Sequence, residues 1–308
     1  MKIKNTFITI AIYLLLLSCD TYNTFYTETV TITANKPDTI QRLDLSATSI
    51  DDVERYLPRF KKLRYLNLSN NSTRIINYVL NELNNPELLE VLILNNTQLE
   101  TLPDTIKKFK NLEQLSLVNN PKLNFEQSVN TVSTLSLKFL NLQHNNLLEI
   151  PKGIENISTL EDFNFSHNEL GNNASVSYLK ELKSLSSLWL THNNLTELPE
   201  QLFGLSQLRY LYVEHNQLSK IDIGITKMKS IWVVHAGHNN FTVLPEALTL
   251  LPSIKLLHIN NCNIVSIPAV YASKESNIIG LVLNENKLSD DVKSYWKKEL
   301  KHYFILSL

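Results

Sequence analysis

A nine-residue pattern that recurs eleven times along the chain constrains its fold more than any other feature. The pattern reads L-x-x-L-x-L-x-x-N, where L is an apolar residue, most often leucine, and Leu63 to Asn71 is one copy. Successive copies begin 23 to 26 residues apart. This spacing predicts one elongated solenoid in which each coil packs on its neighbours, not two globular domains. The copies begin at Ile40, Leu63, Leu89, Leu112, Leu137, Leu160, Leu185, Leu208, Ile231, Ile254 and Ile278.

The middle of each copy predicts a short β-strand. Apolar positions 4 and 6 alternate with position 5, so the apolar side chains point inward and positions 3, 5 and 7 point outward. The asparagine at position 9 lies at the same height of every coil, where it can hydrogen-bond backbone groups and form a ladder. Thr48, Thr97 and Cys262 replace it in three copies. Each can still donate a hydrogen bond, so Cys262 is interpreted as a structural residue.

A second feature follows the ladder position in five copies, where an aliphatic residue precedes a proline. Proline fixes φ and has no N–H, so it predicts the start of a convex turn or short helix. The longer copies, which begin at Leu63, Leu112 and Leu160, lack this step and are expected to carry looser or more helical convex segments. The five steps are Leu102-Pro103, Ile150-Pro151, Leu198-Pro199, Leu244-Pro245 and Ile267-Pro268.

The pattern and its proline step together resemble the leucine-rich repeat family, in the Leu-Pro type of roughly 23 residues. The resemblance implies an α/β fold, a curved solenoid with a parallel concave sheet of about eleven repeats and mixed short helices and turns on the convex side. It also implies that the concave face binds a partner. Residues 40–288 form the expected leucine-rich repeat domain.

Residues 289–308 are expected to form a C-terminal helical cap. Ser289 is a suitable N-cap residue, and the acidic Asp290 and Asp291 follow it in the first turn. An apolar face at helical spacing would cover the last repeat, formed by Val292, Trp296, Leu300 and Tyr303.

The N-terminus predicts export. Lys2 and Lys4 precede an apolar run over residues 7–17, which is too short to span a bilayer and is typical of a signal peptide at residues 1–18. The run ends in Leu-Leu-Ser-Cys, which resembles the lipobox of bacterial lipoproteins and implies lipid attachment at Cys19. The alternative is an ordinary signal peptide with an unmodified cysteine. The chain is thus expected to be an exported, membrane-anchored lipoprotein of a bacterial cell envelope, at the outer membrane or the cell surface.

Residues 19–39 would then form an N-terminal tether and cap. The segment is rich in threonine and contains no glycine, which favours extended structure, so part of it is expected to pair with the first strand.

Composition and motifs argue against several function classes. The net charge of −1 lacks the basic excess of a nucleic-acid binder, and 6 glycines are too few for phosphate-binding loops. The sequence contains no G-x-S-x-G, no H-E-x-x-H and no paired cysteines at zinc spacing. The expected protein is therefore not an enzyme and has no cofactor and no metal.

Histidine occupies position 8 of five consecutive copies, at His144, His167, His192, His215 and His238. A metal site or a pH-sensing stripe is one interpretation of this row. The other is structural, because His-Asn at this point is common in leucine-rich repeats. We favour the structural interpretation, because no Asp or Cys accompanies the row at ligand spacing.

Position 5 divides the predicted concave face into two parts. It is small and mostly polar in the first six copies and largely aromatic in the next four. Exposed aromatic residues are typical of binding sites, although bulky side chains could instead pack on each other. The predicted ligand-binding residues are Trp189, Tyr210, Tyr212, Trp232, His235 and His258, bordered by Arg209, Glu214 and Lys255.

Three ligand classes remain open at this point. A protein or peptide partner suits a broad curved sheet, and a cell-surface glycan suits exposed aromatic faces. An envelope spacer would have no specific ligand. Coplanar exposed rings would favour a glycan, whereas protruding side chains beside pockets would favour a protein. The chain is expected to be a monomer.

Overall fold

A computed structural model describes residues 29–32, 37–273 and 276–308. The predicted signal peptide and the predicted lipid attachment at Cys19 lie outside the described residues. Within the described part of the chain, no helix combines the length and the apolar character needed to cross a bilayer.

The structure is one sheet of thirteen parallel strands whose spatial order is their order in the sequence. This architecture confirms the predicted leucine-rich repeat solenoid. Positions 3 to 5 of each copy form a strand, and equivalent positions pair, so that Leu188 faces Leu211 across β8 and β9. The strands are β1 Val30–Thr31, β2 Arg42–Asp44, β3 Tyr65–Asn67, β4 Val91–Ile93, β5 Gln114–Ser116, β6 Phe139–Asn141, β7 Asp162–Asn164, β8 Ser187–Trp189, β9 Tyr210–Tyr212, β10 Val233–His235, β11 Leu256–His258, β12 Gly280–Val282 and β13 Ile305–Ser307.

The core runs along the inside of the sheet. Positions 1, 4 and 6 supply it in every coil, and in the seventh coil Leu185, Leu188 and Leu190 are fully buried. Burying one leucine is worth about 1.5–3 kcal/mol relative to leaving it in water. Because each coil shares its leucines with the coils on either side, the solenoid has one continuous core.

The ladder of position 9 holds successive coils together through buried hydrogen bonds. Asn216 Nδ2 donates to the carbonyls of Leu190 and Val213 at 2.9 and 3.0 Å. Its Oδ1 accepts from the amides of Asn193 and Leu195 at 2.9 and 3.0 Å. One side chain therefore satisfies backbone groups of two coils that the turn leaves unpaired.

The predicted replacements in the ladder are confirmed as donors. Thr97 Oγ1 donates to the carbonyl of Leu94 at 3.1 Å. Cys262 Sγ contacts the carbonyl of Asn260 at 3.4 Å, a weaker interaction than its amide counterpart. Burial raises the pKa of the Cys262 thiol, which supports its interpretation as a structural residue.

The convex side carries short helices, as predicted. The first coil contains α1 Ile50–Tyr56, and the longer coils that begin at Leu63 and Leu112 contain α2 Thr73–Glu82 and α3 Phe125–Val132. The coil that begins at Leu160 contains an eight-residue 3₁₀ helix, and Pro103, Pro199, Pro245 and Pro268 are the N-cap residues of four others. The 3₁₀ helices are Pro37–Thr39, Leu57–Arg59, Pro86–Leu88, Asp104–Lys108, Ile154–Asn156, Ala174–Glu181, Glu200–Gly204, Ile223–Lys227, Glu246–Leu250 and Ala269–Ala272.

Strands extend the sheet beyond the eleven predicted copies at both ends. Val30 and Thr31 pair in parallel with β2, so part of the N-terminal segment joins the first strand as expected. At the other end, Ser289 caps α4 Asp290–Glu299 by accepting a hydrogen bond from the amide of Val292.

The expectation of a helical face through Tyr303 is wrong beyond the helix end. Trp296, Leu300 and Tyr303 are buried, but the chain turns after Leu300 and forms β13. Tyr303 takes position 1 of this further coil, and its Oη donates to the carbonyl of Tyr271 at 3.0 Å. Residues 289–308 therefore cap the solenoid with a helix and a strand.

Candidate functional site

The open face of the sheet, formed by positions 3, 5 and 7, changes its chemistry after the sixth coil. Asp44, Asn67, Asn141 and Asn164 at position 5 each accept a hydrogen bond from the amide two residues later, at 2.8 to 3.0 Å. These side chains stabilise their own turns. At position 5 of the next four coils these short polar side chains give way to ring side chains, which form a different surface.

The aromatic side chains of position 5 stack on one another. The rings of Trp189 and Tyr212 lie with centroids 3.5 Å apart and planes within 4° of parallel. The ring of His235 continues the stack at 4.8 Å from Tyr212. Parallel strands in register place equivalent side chains about 4.8 Å apart, which suits stacked rings. As a result Tyr212 is only 4% exposed, although it lies on the open face, and Trp189 and His235 are half-buried.

A carboxylate orients the first ring of this stack. The indole Nε1 of Trp189 donates to Oδ2 of Asp162 at 3.2 Å, across the β7–β8 pair. Burial raises the pKa of Asp162 to about 6, against the opposing effect of hydrogen bonds from Ser187 and Trp189. The indole is therefore held by two contacts, a ring face on Tyr212 and a hydrogen bond to Asp162.

A polar network lies at the other end of the stack. Glu214 accepts from Thr191 Oγ1 at 3.1 Å, and His235 Nδ1 lies 3.3 Å from its Oε1. Burial acts to raise the pKa of Glu214, but the hydrogen bond and the charge of His235, together with hydrogen bonds from a backbone amide and Thr191, outweigh burial and lower it. His258 Nδ1 lies 3.1 Å from His235 Nδ1.

These contacts assign one tautomer. If His235 Nδ1 carries the proton, it can donate to both Glu214 and His258, whereas the reverse arrangement would set a lone pair of His235 against the carboxylate. Burial and, after it, the charge of His235 lower the pKa of His258, which suits a neutral acceptor.

The remaining predicted site residues lie at the edge of the sheet. Trp232 is 41% exposed, the highest value among the predicted ligand-binding residues, and Tyr210 meets it edge-on with centroids 6.3 Å apart. The guanidinium of Arg209 lies 4.9 Å from the Trp232 ring centroid. The structure thus divides the six predicted residues into two groups. At position 5, Trp189, Tyr212 and His235 form a stack that His258 meets edge-on, and Tyr210 and Trp232 form an edge pair at positions 3 and 2.

Sequence reasoning missed Asp162 as part of the site. It lies at position 3 of the coil before Trp189, and pairing of equivalent strand positions places it next to Ser187. Alignment of the repeat copies alone could therefore have placed Asp162 beside the strand of Trp189. The predicted site residues remain predictions as ligand contacts.

The histidine row forms a second stack on the turn after the strands. Neighbouring rings lie with centroids 3.9 to 4.3 Å apart and planes within 10 to 19° of parallel. All five residues have φ between 53° and 56°, and position 8 is left-handed in all six remaining copies too. Asparagine and histidine adopt this conformation more readily than most residues. The backbone therefore explains why these residue types occur there.

Protonation is disfavoured at the three middle histidines of the row. Burial, followed by the charges of neighbouring histidines, lowers the pKa of His167 to about 4. The same causes lower the pKa of His192 and His215. Parallel rings also direct their nitrogen lone pairs side by side, not toward one point. Within residues 29–32, 37–273 and 276–308, no group of three or more His, Cys, Asp or Glu is placed to hold a metal ion.

Comparisons with known proteins agree with this fold. Two family models described as leucine-rich repeat match residues 172–218 and 136–157. An internalin from Listeria monocytogenes superimposes with a TM-score of 0.56 and 18% identity, over 87% of this chain and 79% of the internalin chain. The plant peptide hormone receptor RGFR1, solved in complex with RGF2, superimposes with a TM-score of 0.52 and 19% identity, over 82% of this chain and 40% of the receptor chain. A search of curated proteins finds no match.

Proposed function

We propose that this chain is a non-enzymatic binding protein of a bacterial cell envelope that recognises a protein partner through the open face of its seventh to tenth coils. One observation carries the proposal. Position 5 changes from asparagines that stabilise their own turns to a rigid stack of aromatic rings, and the exposed Trp232 lies at the edge of the same face. Rigid aromatic side chains of this kind are enriched in binding hot spots.

The geometry favours a protein partner over a glycan. Sugar rings stack on exposed aromatic faces, but Trp189 and Tyr212 cover each other and Tyr212 is buried. One side of the Trp232 ring already carries the Arg209 guanidinium. The surface left for a ligand is uneven, because the indole of Trp232 protrudes beside partly buried rings. Such a surface suits a protein partner with complementary protrusions and pockets.

The structural neighbours support this class of function. The neighbouring plant protein is a peptide hormone receptor, solved in complex with RGF2. At 19% identity that similarity concerns the fold, so the partner of this chain has to be found by experiment.

A pull-down with the purified full chain in mild detergent tests the proposal. The bait is compared with a variant that combines Trp189→Ala and Trp232→Ala, and with Phe139→Ala, which removes an aromatic side chain from the open face of the fifth coil. We expect a protein that the parent and Phe139→Ala capture and the double variant does not. Thermal unfolding checks that both variants are folded.

Two outcomes would contradict the proposal. Equal capture by all three baits would place binding elsewhere on the solenoid. Capture of no protein, combined with retention on a glycan array that the double variant loses, would make the chain a glycan-binding protein.

We also propose that the chain is anchored by lipid at Cys19. The supporting observation is the Leu-Leu-Ser-Cys motif directly after the apolar run. Each buried acyl CH₂ contributes about 0.8 kcal/mol to membrane binding, so several chains give a stable anchor. In cells that export the chain, Cys19→Ala should move it from the membrane fraction to the soluble fraction, whereas Cys262→Ala should not. Retention of Cys19→Ala at the membrane would refute the anchor.

A further inference from the structure

The edge of the sheet at which the strands begin carries a row of exposed side chains in the C-terminal half of the solenoid. Position 2 of five successive coils forms this row, which we call the rim ledge: Arg209, Trp232, Lys255, Ile279 and Phe304. Trp232, Ile279 and Phe304 are 41%, 44% and 58% exposed, although their apolar side chains would be more stable out of water.

The backbone holds the rim ledge as a regular row. Each amide in the row donates to the position-2 carbonyl of the preceding coil, at 2.9 Å for Trp232, 2.7 Å for Lys255, 2.9 Å for Ile279 and 2.8 Å for Phe304. Neighbouring side chains therefore leave the backbone about 4.8 Å apart, and the row is about 20 Å long. A ligand would meet a surface that is already arranged, with little ordering cost from the backbone.

The cations of the rim ledge differ from cations at the same position in the N-terminal half. There Lys138 pairs with Glu113 at 2.8 Å, and Arg64 is paired with Glu90. Across the residues that the structure describes, Lys255 has no carboxylate partner. The described contact of Arg209 is the face of Trp232.

The segments that lead into these strands are also poor in acidic residues. From three residues before position 1 to position 3, these five coils contain one acidic residue, Glu275, in residues 205–210, 228–233, 251–256, 275–280 and 300–305. In the N-terminal half, residues 86–91 and 157–162 are equivalent segments that each carry two acidic residues and no cation. A chain of net charge −1 thus presents one basic and apolar edge, which attracts anionic groups.

We propose that the rim ledge binds an extended, acidic segment of the partner that also carries apolar side chains. The inference rests on the proposed function, because it names the chemistry of the partner where it meets this edge of the open face. Carboxylates of the segment pair with Arg209 and Lys255, and its apolar side chains cover Trp232 and the neighbouring Ile279 and Phe304. Side chains on one face of an extended peptide recur about every 7 Å, so about seven residues span the row.

Selection of random heptapeptides displayed on phage tests this inference. The immobilised target is the full chain in detergent, compared with Lys255→Ala and with Lys138→Ala, which removes a lysine from the same coil position where a glutamate already pairs with it. We expect the parent to select peptides enriched in Asp and Glu beside apolar residues. Loss of one exposed charge pair changes affinity about two- to fivefold, so Lys255→Ala should weaken the acidic enrichment to that extent and Lys138→Ala should not.

A second pair of variants tests the apolar part. Phe304→Ser should weaken selection of apolar residues, whereas Leu250→Ser, which changes a similarly exposed side chain in a convex 3₁₀ helix, should leave it unchanged.

Three results would overturn the inference. The selected peptides show no acidic enrichment, or Lys255→Ala keeps it in full, or the target selects no peptide. A parent chain that sediments as a dimer, with a Trp232→Ala variant that sediments as a monomer, would also overturn it, because a second copy would then cover the row. Capture of a protein in the pull-down remains a separate result, so the proposed function can stand when this inference fails.

Discussion

Two single substitutions at neighbouring ladder positions should change the free energy of unfolding in opposite directions. Cys262→Asn should raise it and Asn239→Cys should lower it. Asn239 Nδ2 donates to the carbonyls of Val213, Ala236 and Gly237 at 2.9, 3.0 and 3.2 Å, and its Oδ1 accepts from the amide of Leu218 at 2.9 Å. One coil later, Cys262 Sγ lies 3.7 Å from the carbonyl of Ala236 and accepts from the amide of Asn239 at 3.4 Å. Cys262→Asn would replace weak sulfur contacts with amide hydrogen bonds.

The expected size of each effect follows from these contacts. A typical intramolecular hydrogen bond contributes about 0.5–1.5 kcal/mol, so two improved bonds should raise the free energy of unfolding by about 1–3 kcal/mol in Cys262→Asn. Asn239→Cys removes three donated bonds and leaves buried carbonyls unsatisfied, which should cost about 2–4 kcal/mol. The left-handed residue that precedes each site, His238 or Asn261, stays unchanged.

Urea denaturation of the parent and both variants measures the two effects. Solenoids can unfold in segments, so tryptophan fluorescence, to which Trp232 of the ninth coil contributes, should be followed together with circular dichroism. If Cys262→Asn is as destabilising as Asn239→Cys, then apolar packing of the sulfur controls stability at this site, and the argument from ladder hydrogen bonds is refuted.

Three further predictions concern titration and packing. Burial raises the pKa of Asp162 from its ordinary 3.8 to about 6, so its ionisation lowers the free energy of unfolding progressively between these two pH values. Asp162→Asn should therefore raise the free energy of unfolding at pH 7.5 by up to about 3 kcal/mol and leave it unchanged near pH 3.5. An equal gain at both pH values would contradict this. The pKa of His167 is lowered to about 4, so the parent should lose stability as pH falls from 6.5 toward 4. His167→Asn should reduce that loss, which melting curves at pH 7 and 4.5 would measure. Asparagine is a suitable replacement because it occupies the same left-handed position in other coils. Gly280→Ala would place a Cβ 2.6 Å from Cδ1 of Leu256 and should lower the free energy of unfolding by about 1–3 kcal/mol. In Gly204→Ala the added Cβ meets no atom within 4 Å, so the free energy of unfolding should not fall. Equal melting temperatures of the two variants would refute the packing argument.

Most of the fold could be predicted from the sequence because one repeated pattern specifies strand, core and ladder together. Leu188 and Asn193 occupy positions whose role is the same in every coil. The additional strand β13 could not be predicted in this way. Its coil begins at Tyr303 and holds only the first positions of the pattern, and Tyr303 also continues the helical spacing of Trp296 and Leu300.

The site was less predictable than the fold. The pattern shows that Trp189 and Tyr212 are adjacent on the open face, but side-chain rotation decides whether their rings stack or spread. The exposure of Ile279 and Phe304 could not be predicted from the sequence for a different reason. Position 2 is variable in every coil, so only the exposure seen in the structure distinguishes them from padding of the sheet edge.

Every strand pairs with its neighbours in the sequence, so the solenoid can be shortened or lengthened by whole coils. The coils that begin at Leu185, Leu208 and Ile231 are each 23 residues long, so deletion of residues 208–230 joins equivalent backbone positions and places Asn193 next to Asn239. Recombination between such segments would shorten the aromatic stack by the single ring of Tyr212 and leave the remaining register intact. Gene rearrangement could therefore produce variants of this recognition surface in increments of one side chain, with no redesign of the core.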